Sequence, residues 1–162
     1  MNNKEQKNIL LTAFRNSSAE SMVKETKNYN TLFLPNDKIK DFEMLKNTIS
    51  NGKYDYVISF GQRPMIKNKV YIEDTAHEGD FMIHTNFNCD VLEKIFLQEG
   101  IITKISHNAG TSYCNKLYLN GLKYIFQNDL DIKMVFVHIP YKKNITNFDK
   151  FCEKIFDVIS YI

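Results

Sequence analysis

The sequence predicts an α/β fold: one three-layer α/β/α domain spanning residues 1–162, with a largely parallel central sheet. Three observations carry this. Short, almost wholly apolar runs recur along the chain (ILLTAF, YVISF, KMVFVHI), as strands buried on both faces require. Between them lie segments whose apolar residues return every three or four positions, the stripe of an amphipathic helix. The 162 residues are also a length that one core can serve, with no repeat, low-complexity stretch or linker to divide them.

Residues 8–14 (NILLTAF) read as the first strand, ending in polar, turn-forming residues. Asn16, Ser17 and Ser18 offer caps for a helix over 19–28. Residues 31–34 form a second strand, stopped by Pro35. Ile39, Phe42, Leu45 and Ile49 mark a helix over 37–49, which Asn51-Gly52 ends. Residues 54–60 (YDYVISF) are the strongest strand, closed by Gly61, and 69–72 a shorter one leading into Glu73. Val91, Leu92, Ile95 and Phe96 mark a helix that stops at Gly100, and β character returns over 101–105. A helix over 115–126 carries Leu117, Leu119, Leu122, Tyr124, Ile125 and Phe126, so it packs on more than one side. A strand over 133–139 ends at Pro140, and Phe148, Phe151, Cys152, Ile155, Phe156 and Ile159 mark a closing helix.

Composition excludes several classes. Net charge is +2 with a pI of about 8.3, and no Lys/Arg block stands out, so nothing favours nucleic acid as a partner. No apolar run is long enough to cross a bilayer, so no membrane partner is expected. The polar start, from Met1 to Lys7, precedes an apolar run too short for a signal sequence, which makes a cytoplasmic location the expectation. Cys89, Cys114 and Cys152 are odd in number and widely spaced, which fits a reducing compartment rather than a disulfide framework. His77, His84 and His107 lack ligand spacing, and neither metal nor cofactor is expected.

In open α/β sheets, sites form at the carboxyl ends of strands. Four places qualify: 12–16, 61–63, 106–114 and 138–141. Of the three cysteines only Cys114 lies at one, after a polar loop and at a helix start, where exposed N–H groups and the dipole lower a thiol pKa. Those N–H groups could also hold an oxyanion. His138, at the end of its strand, can act as base to a thiol and acid to a leaving amine, and Glu73 can orient that imidazole. Spacing alone leaves other roles open. Cys114 could be a buried small hydrophobe, His138 a strand-end histidine bonded to a carbonyl, and Glu73 or Arg63 an ordinary solvated charge.

At these same residues the chain resembles the pyroglutamyl peptidase I family of cysteine peptidases. Ser106-His107-Asn108-Ala109-Gly110-Thr111-Ser112-Tyr113-Cys114-Asn115 resembles the segment around the family's nucleophile. Val135-Phe136-Val137-His138-Ile139-Pro140-Tyr141 resembles the segment of its histidine, and Glu73-Asp74-Thr75-Ala76, more loosely, its Glu-Arg-x-Ala segment. Ile9-Leu10-Leu11-Thr12-Ala13-Phe14 is similar to its opening strand, with Ala13 where Gly is usual. The resemblance implies Cys114 as nucleophile, His138 as base and acid, Glu73 as its orienting residue, and Phe14 and Arg63 as substrate contacts. It further implies removal of N-terminal pyroglutamyl groups from small peptides or acyl amides through a thioester, in a homo-oligomer, a tetramer by analogy.

The departures concern the substrate. Arg15-Asn16-Ser17-Ser18 replaces the family's Pro-Phe-Gly-Gly loop, so its second aromatic is missing. Ser112 stands where an aromatic is common, and Gly79-Asp80 leads directly to Phe81 where family members carry a Pro-Asp-Asn stretch. Loss of one aromatic wall predicts weak pyroglutamyl-amide hydrolysis unless Phe81, Phe87 or a neighbouring subunit refills it. An amidase of another acyl specificity and a catalytically silent binding protein are the alternatives.

Overall fold

The computed structural model describes residues 6–162, so the first five residues of the 1–162 domain expectation, and most of the polar N-terminal stretch, lie outside the described residues. Six strands form the main sheet: β1 (Ile9–Phe14), β2 (Asn30–Leu34), β3 (Tyr56–Arg63), β4 (Lys69–Glu73), β7 (Ile102–Ser106) and β8 (Lys133–Pro140). Their order is β2-β1-β3-β8-β4-β7, and every neighbouring pair is parallel except β4 with β8.

Alternation along each strand builds the three layers, because successive side chains point to opposite faces. Ile9, Leu11 and Ala13 of β1 join Val135, Val137 and Ile139 of β8 beneath α1 (Ser18–Val23), α3 (Cys89–Gln98) and α5 (Phe148–Ser160). Leu10 and Phe14 join Val57, Met134 and Phe136 beneath α2 (Lys40–Asn51) and α4 (Tyr113–Gln127). Full burial of side chains such as Phe60, Phe96 and Phe136 stabilises each layer by about 1.5–3 kcal/mol per residue. The mixed α/β architecture with a mostly parallel central sheet agrees with the sequence reading.

Four local details differ from it. Helix α1 is capped by Ser17, whose hydroxyl accepts from Glu20 N at 3.1 Å, but it ends at Val23 rather than running to residue 28. Residues 24–28 (KETKN) offer no apolar side chain to bury, and the N–H groups of Glu25 and Thr26 turn back to the carbonyls of Met22 and Val23. Ile39 is 71% exposed rather than part of the buried stripe. The Asp37 carboxylate accepts from the N–H groups of Ile39 and Lys40, so α2 begins later and Asp41 takes an inward position. Strand β3 continues through Gly61 to Arg63, because β8 runs beside it and pairs Gly61 with His138 and Arg63 with Pro140. Finally, β5 (Thr75–Glu78) and β6 (Phe81–His84) form an antiparallel hairpin that the sequence reading lacks, turned at Gly79 with φ of 58°. Thr-Ala-His-Glu has no apolar alternation to announce a strand.

Candidate active site

Cys114, in the first turn of α4, lies at the end of the sheet where β3 and β8 finish, and Gly121 farther along α4 lies over Met134 near the start of β8, so α4 runs antiparallel to β8. At the end that holds Cys114, β3 and β8 present Gly61 and His138 as register partners. A Cβ built on Gly61 would lie 2.7 Å from Cys114 Sγ and 2.9 Å from Phe136 Cζ, so the thiol occupies the space a side chain would fill. Glycine is required here for close approach.

His138 is nearly buried and Glu73 fully so. Glu73 is the last residue of β4, not a loop residue beyond it. β4 runs antiparallel to β8, pairing Tyr71 with His138 and Glu73 with Phe136, so both side chains lie on the α4 face. His138 Nδ1 meets Glu73 Oε1 at 2.7 Å, and Arg63 Nη1 donates to the same oxygen at 3.1 Å. An oxygen already accepting from a guanidinium makes Nδ1 the donor, which leaves the Nε2 lone pair available as a base. Glu73 Oε2 is buried with no partner among the described residues. Cys114 and His138 thus flank Gly61, although among the described residues they form no hydrogen bond with each other. Catalytic bonds of this kind are often long until substrate binds.

The thiol departs from expectation in one respect. Burial, and next the charge of Glu73, push the Cys114 pKa up to about 12, outweighing the lowering by its own backbone N–H at the helix start. Burial likewise pushes Cys89 and Cys152 up to about 12. What sets Cys114 apart is access, since it is half-buried while the other two are buried. A thiol that is neutral at ordinary pH becomes a nucleophile only by giving its proton to a neighbouring base. Ser112 makes no side-chain cap bond, so the first-turn N–H groups of α4 remain available to an anion.

Three residues that sequence reasoning missed complete the site. Tyr113 stands with its ring centroid 6.5 Å from that of Phe14, and Phe14 lies 6.4 Å from Phe136. An aromatic ring beside Phe14 thus comes from the residue just before Cys114, while Ser112 and the 15–18 loop supply none. Phe87 packs on Tyr56 at the opposite end of the sheet, and Phe81 lies under Lys123 on the third turn of α4, so neither refills the wall. Asn115 accepts from His77 N at 3.0 Å and donates to His77 O at 2.7 Å, tying the first turn of α4 to the hairpin. Tyr118 OH donates to the Glu73 carbonyl at 2.7 Å, locking α4 to β4. Tyr113 and Asn115 flank Cys114 and Tyr118 follows one turn on, a helical offset that could have flagged them. Arg63 is not a surface charge, because its guanidinium lies over Tyr71, 4.8 Å from the ring centroid, and reaches Glu73. Among the described residues no group of three His, Cys, Asp or Glu side chains is placed to hold a metal ion, and no helix is long and apolar enough to cross a membrane.

The model of the family described as "Pyroglutamyl peptidase" matches residues 66–152, more than half the chain and inclusive of Glu73, Cys114 and His138. The chain belongs to the pyroglutamyl peptidase family. Within the family, the pyrrolidone-carboxylate peptidase of Brachyspira hyodysenteriae is 29% identical over 132 residues, covering 68% of this chain and 65% of that protein. Pyrrolidone-carboxylate peptidase 2 of Caldanaerobacter subterraneus is 46% identical over 52 residues, 32% of this chain and 25% of its own length. The matches thus span between a quarter and two thirds of these curated relatives. Among solved structures, the pyrrolidone carboxyl peptidase from Thermococcus litoralis superposes with a TM-score of 0.81 at 19% identity, over 96% of this chain and 92% of that one. Pyroglutamyl peptidase I from Bacillus amyloliquefaciens gives 0.83, also at 19% identity, over 94% and 92%. These two likenesses establish a shared fold.

Proposed function

We propose that the chain is a cysteine exopeptidase that removes an N-terminal pyroglutamyl group from small peptides or acyl amides. The observation that carries this reading is the bond between Glu73 and His138, set beside a thiol seated over Gly61. Cys114 Sγ attacks the acyl carbonyl carbon while its proton passes to His138 Nε2, and Glu73 holds the imidazolium. The oxyanion takes the free N–H groups at the start of α4. Collapse breaks the C–N bond, His138 returns the proton to the leaving amine, and a thioester remains. Water, deprotonated by His138, then releases the acyl group as a carboxylic acid and restores the thiol. Phe14 and Tyr113 supply two apolar faces for a flat lactam, and Arg63 acts on Glu73 as well as near the substrate. The reading extends to residues 1–162 as one domain and a cytoplasmic location, on the sequence pattern, and to a homo-oligomer, as family resemblance implies.

A panel of pyroglutamyl, prolyl and acetyl amides tests the specificity. The pyroglutamyl amide is expected to turn over fastest, with activity abolished by Cys114→Ala. Glu73→Gln should lower kcat by about 10²–10⁴-fold, because the imidazole loses its orienting carboxylate. Turnover that survives Cys114→Ala, or a faster acetyl amide, would overturn the assignment.

A further inference from the structure

We propose that Lys69 and Lys104, gathered with Arg63 around Tyr71, form a subsite for a carboxylate on the departing peptide. This rests on the reading above and names the substrate it prefers. The charges are held close: Arg63 Cζ, Lys69 Nζ and Lys104 Nζ lie 4.8, 5.4 and 5.9 Å from the centroid of one ring. A tyrosine face attracts each of them, which holds three like charges together that would otherwise separate.

Register fixes where this group lies relative to the reaction. Tyr71 is paired with His138 on one side and with Lys104 on the other. Directly paired residues project to the same face, so His138, Tyr71 and Lys104 stand in a row across three adjacent strands, each about 4.8 Å from the next. Lys69 lies two residues earlier on β4 and therefore shares that face.

The chemistry decides which part of a substrate passes over the row. The acyl group belongs with Phe14 and Tyr113, which lie on the β1 side of Cys114. The leaving nitrogen must receive its proton from His138, on the opposite side. The peptide that departs therefore extends past His138 across β4 and β7. An extended chain advances about 3.3–3.6 Å per residue, so a carboxylate on the first or second residue after the broken bond comes over Tyr71.

Charge selects the ligand. Among the described residues neither Lys69 nor Lys104 joins an ion pair, whereas Lys24, Lys116 and Lys123 all do. Arg63 is matched only by Glu73, which it shares with His138. Lys104 is exposed and Lys69 and Tyr71 are half-buried, so the group is open to solvent. Three cations set against the single carboxylate of Glu73 leave the cluster net positive, and its repulsion falls when a second carboxylate arrives.

The test compares pyroglutamyl-alanine with its C-terminal amide and with the amide of pyroglutamyl-aspartate, using the full chain. At low salt both anionic substrates should exceed the neutral amide by about five- to tenfold in kcat/KM, and the larger gain distinguishes a terminal carboxylate from an acidic side chain. Raising the salt to about 0.5 M should shrink the preference. The double variant K69Q/K104Q should bring the ratio near one, and Lys104→Glu should reverse it in part. Equal wild-type rates, or a ratio unmoved in the double variant, would overturn the subsite. Alkylation of Cys114 gives a readout free of turnover. The rate with iodoacetate relative to iodoacetamide should be higher in the wild type than in K69Q/K104Q, and an identical ratio would overturn the proposal. Absence of all pyroglutamyl turnover with the alkylation ratio moving as expected would instead remove the pyroglutamyl reading and leave the anion subsite standing.

Discussion

Replacing Gly61 by alanine should disable the thiol while leaving the fold in place. The new Cβ would sit 2.7 Å from Cys114 Sγ and 2.9 Å from Phe136 Cζ. Ordinary contact between such atoms begins near 3.5 Å, so the thiol or the ring must retreat by roughly 0.6–0.8 Å. Phe136 is fully buried between Phe14, Tyr118 and His138 and has little room. The thiol is the half-buried partner, and it moves. A displacement approaching 1 Å of a reacting atom costs about 100-fold in rate, whereas overpacking at one site costs about 1–3 kcal/mol of stability. The measurements are kcat on a pyroglutamyl amide, the rate of Cys114 alkylation and the urea midpoint. Gly121→Ala is the control: its Cβ would lie 2.7 Å from Met134 Sδ and 3.3 Å from Leu45 Cδ2, deep between α4 and the sheet. That variant should lose stability and keep kcat. A Gly61→Ala enzyme with wild-type kcat and an unchanged alkylation rate would show that Cys114 does not rest over Gly61.

Two further predictions concern ionisation. Burial raises the Asp41 pKa, and neither carboxylate oxygen has a partner among the described residues. A folded value above the unfolded one favours the protonated form, so this contribution to stability is full below about pH 4 and is lost as pH rises through the folded pKa. Asp41→Asn should therefore gain about 1–3 kcal/mol over the wild type at neutral pH, with the gain shrinking as pH falls; a pH-independent difference in urea midpoint would refute it. Limited iodoacetamide treatment should label Cys114 before Cys89 or Cys152, because it alone is half-buried, and the labelling rate should keep rising above pH 8 or so, as a pKa pushed up to about 12 requires. A plateau near neutral pH in the His138→Ala variant would contradict the raised thiol pKa.

Much of the molecule was legible in its residues because local physics wrote it there. Continuous apolar runs, buried on both faces, placed β1, β3 and β8, and the three-to-four spacing of Leu45 and Ile49, or of Phe151, Ile155 and Ile159, placed the helices. Cys114 at a helix start and His138 at a strand end followed from where chains turn in an α/β sheet. Hairpin β5–β6 escaped because its strands are held by pairing and by Asn115, not by an apolar pattern of their own.

The sequence by itself determined the alternation of strands and helices, the layered burial and the residue types available for chemistry, since each depends on side chains close together in the chain. Tertiary structure decided the rest. The antiparallel insertion of β4 beside β8 brings Glu73 to His138 across 65 residues, and it cannot be read from either strand alone. Arg63 became a partner of Glu73 and Tyr113 a neighbour of Phe14 only when separate strands and helices came to lie side by side. The thiol's pKa turned the same way. A helix start favours the thiolate, but the depth of Cys114 beneath its neighbours is a property of the packed molecule, and desolvation there is the larger effect.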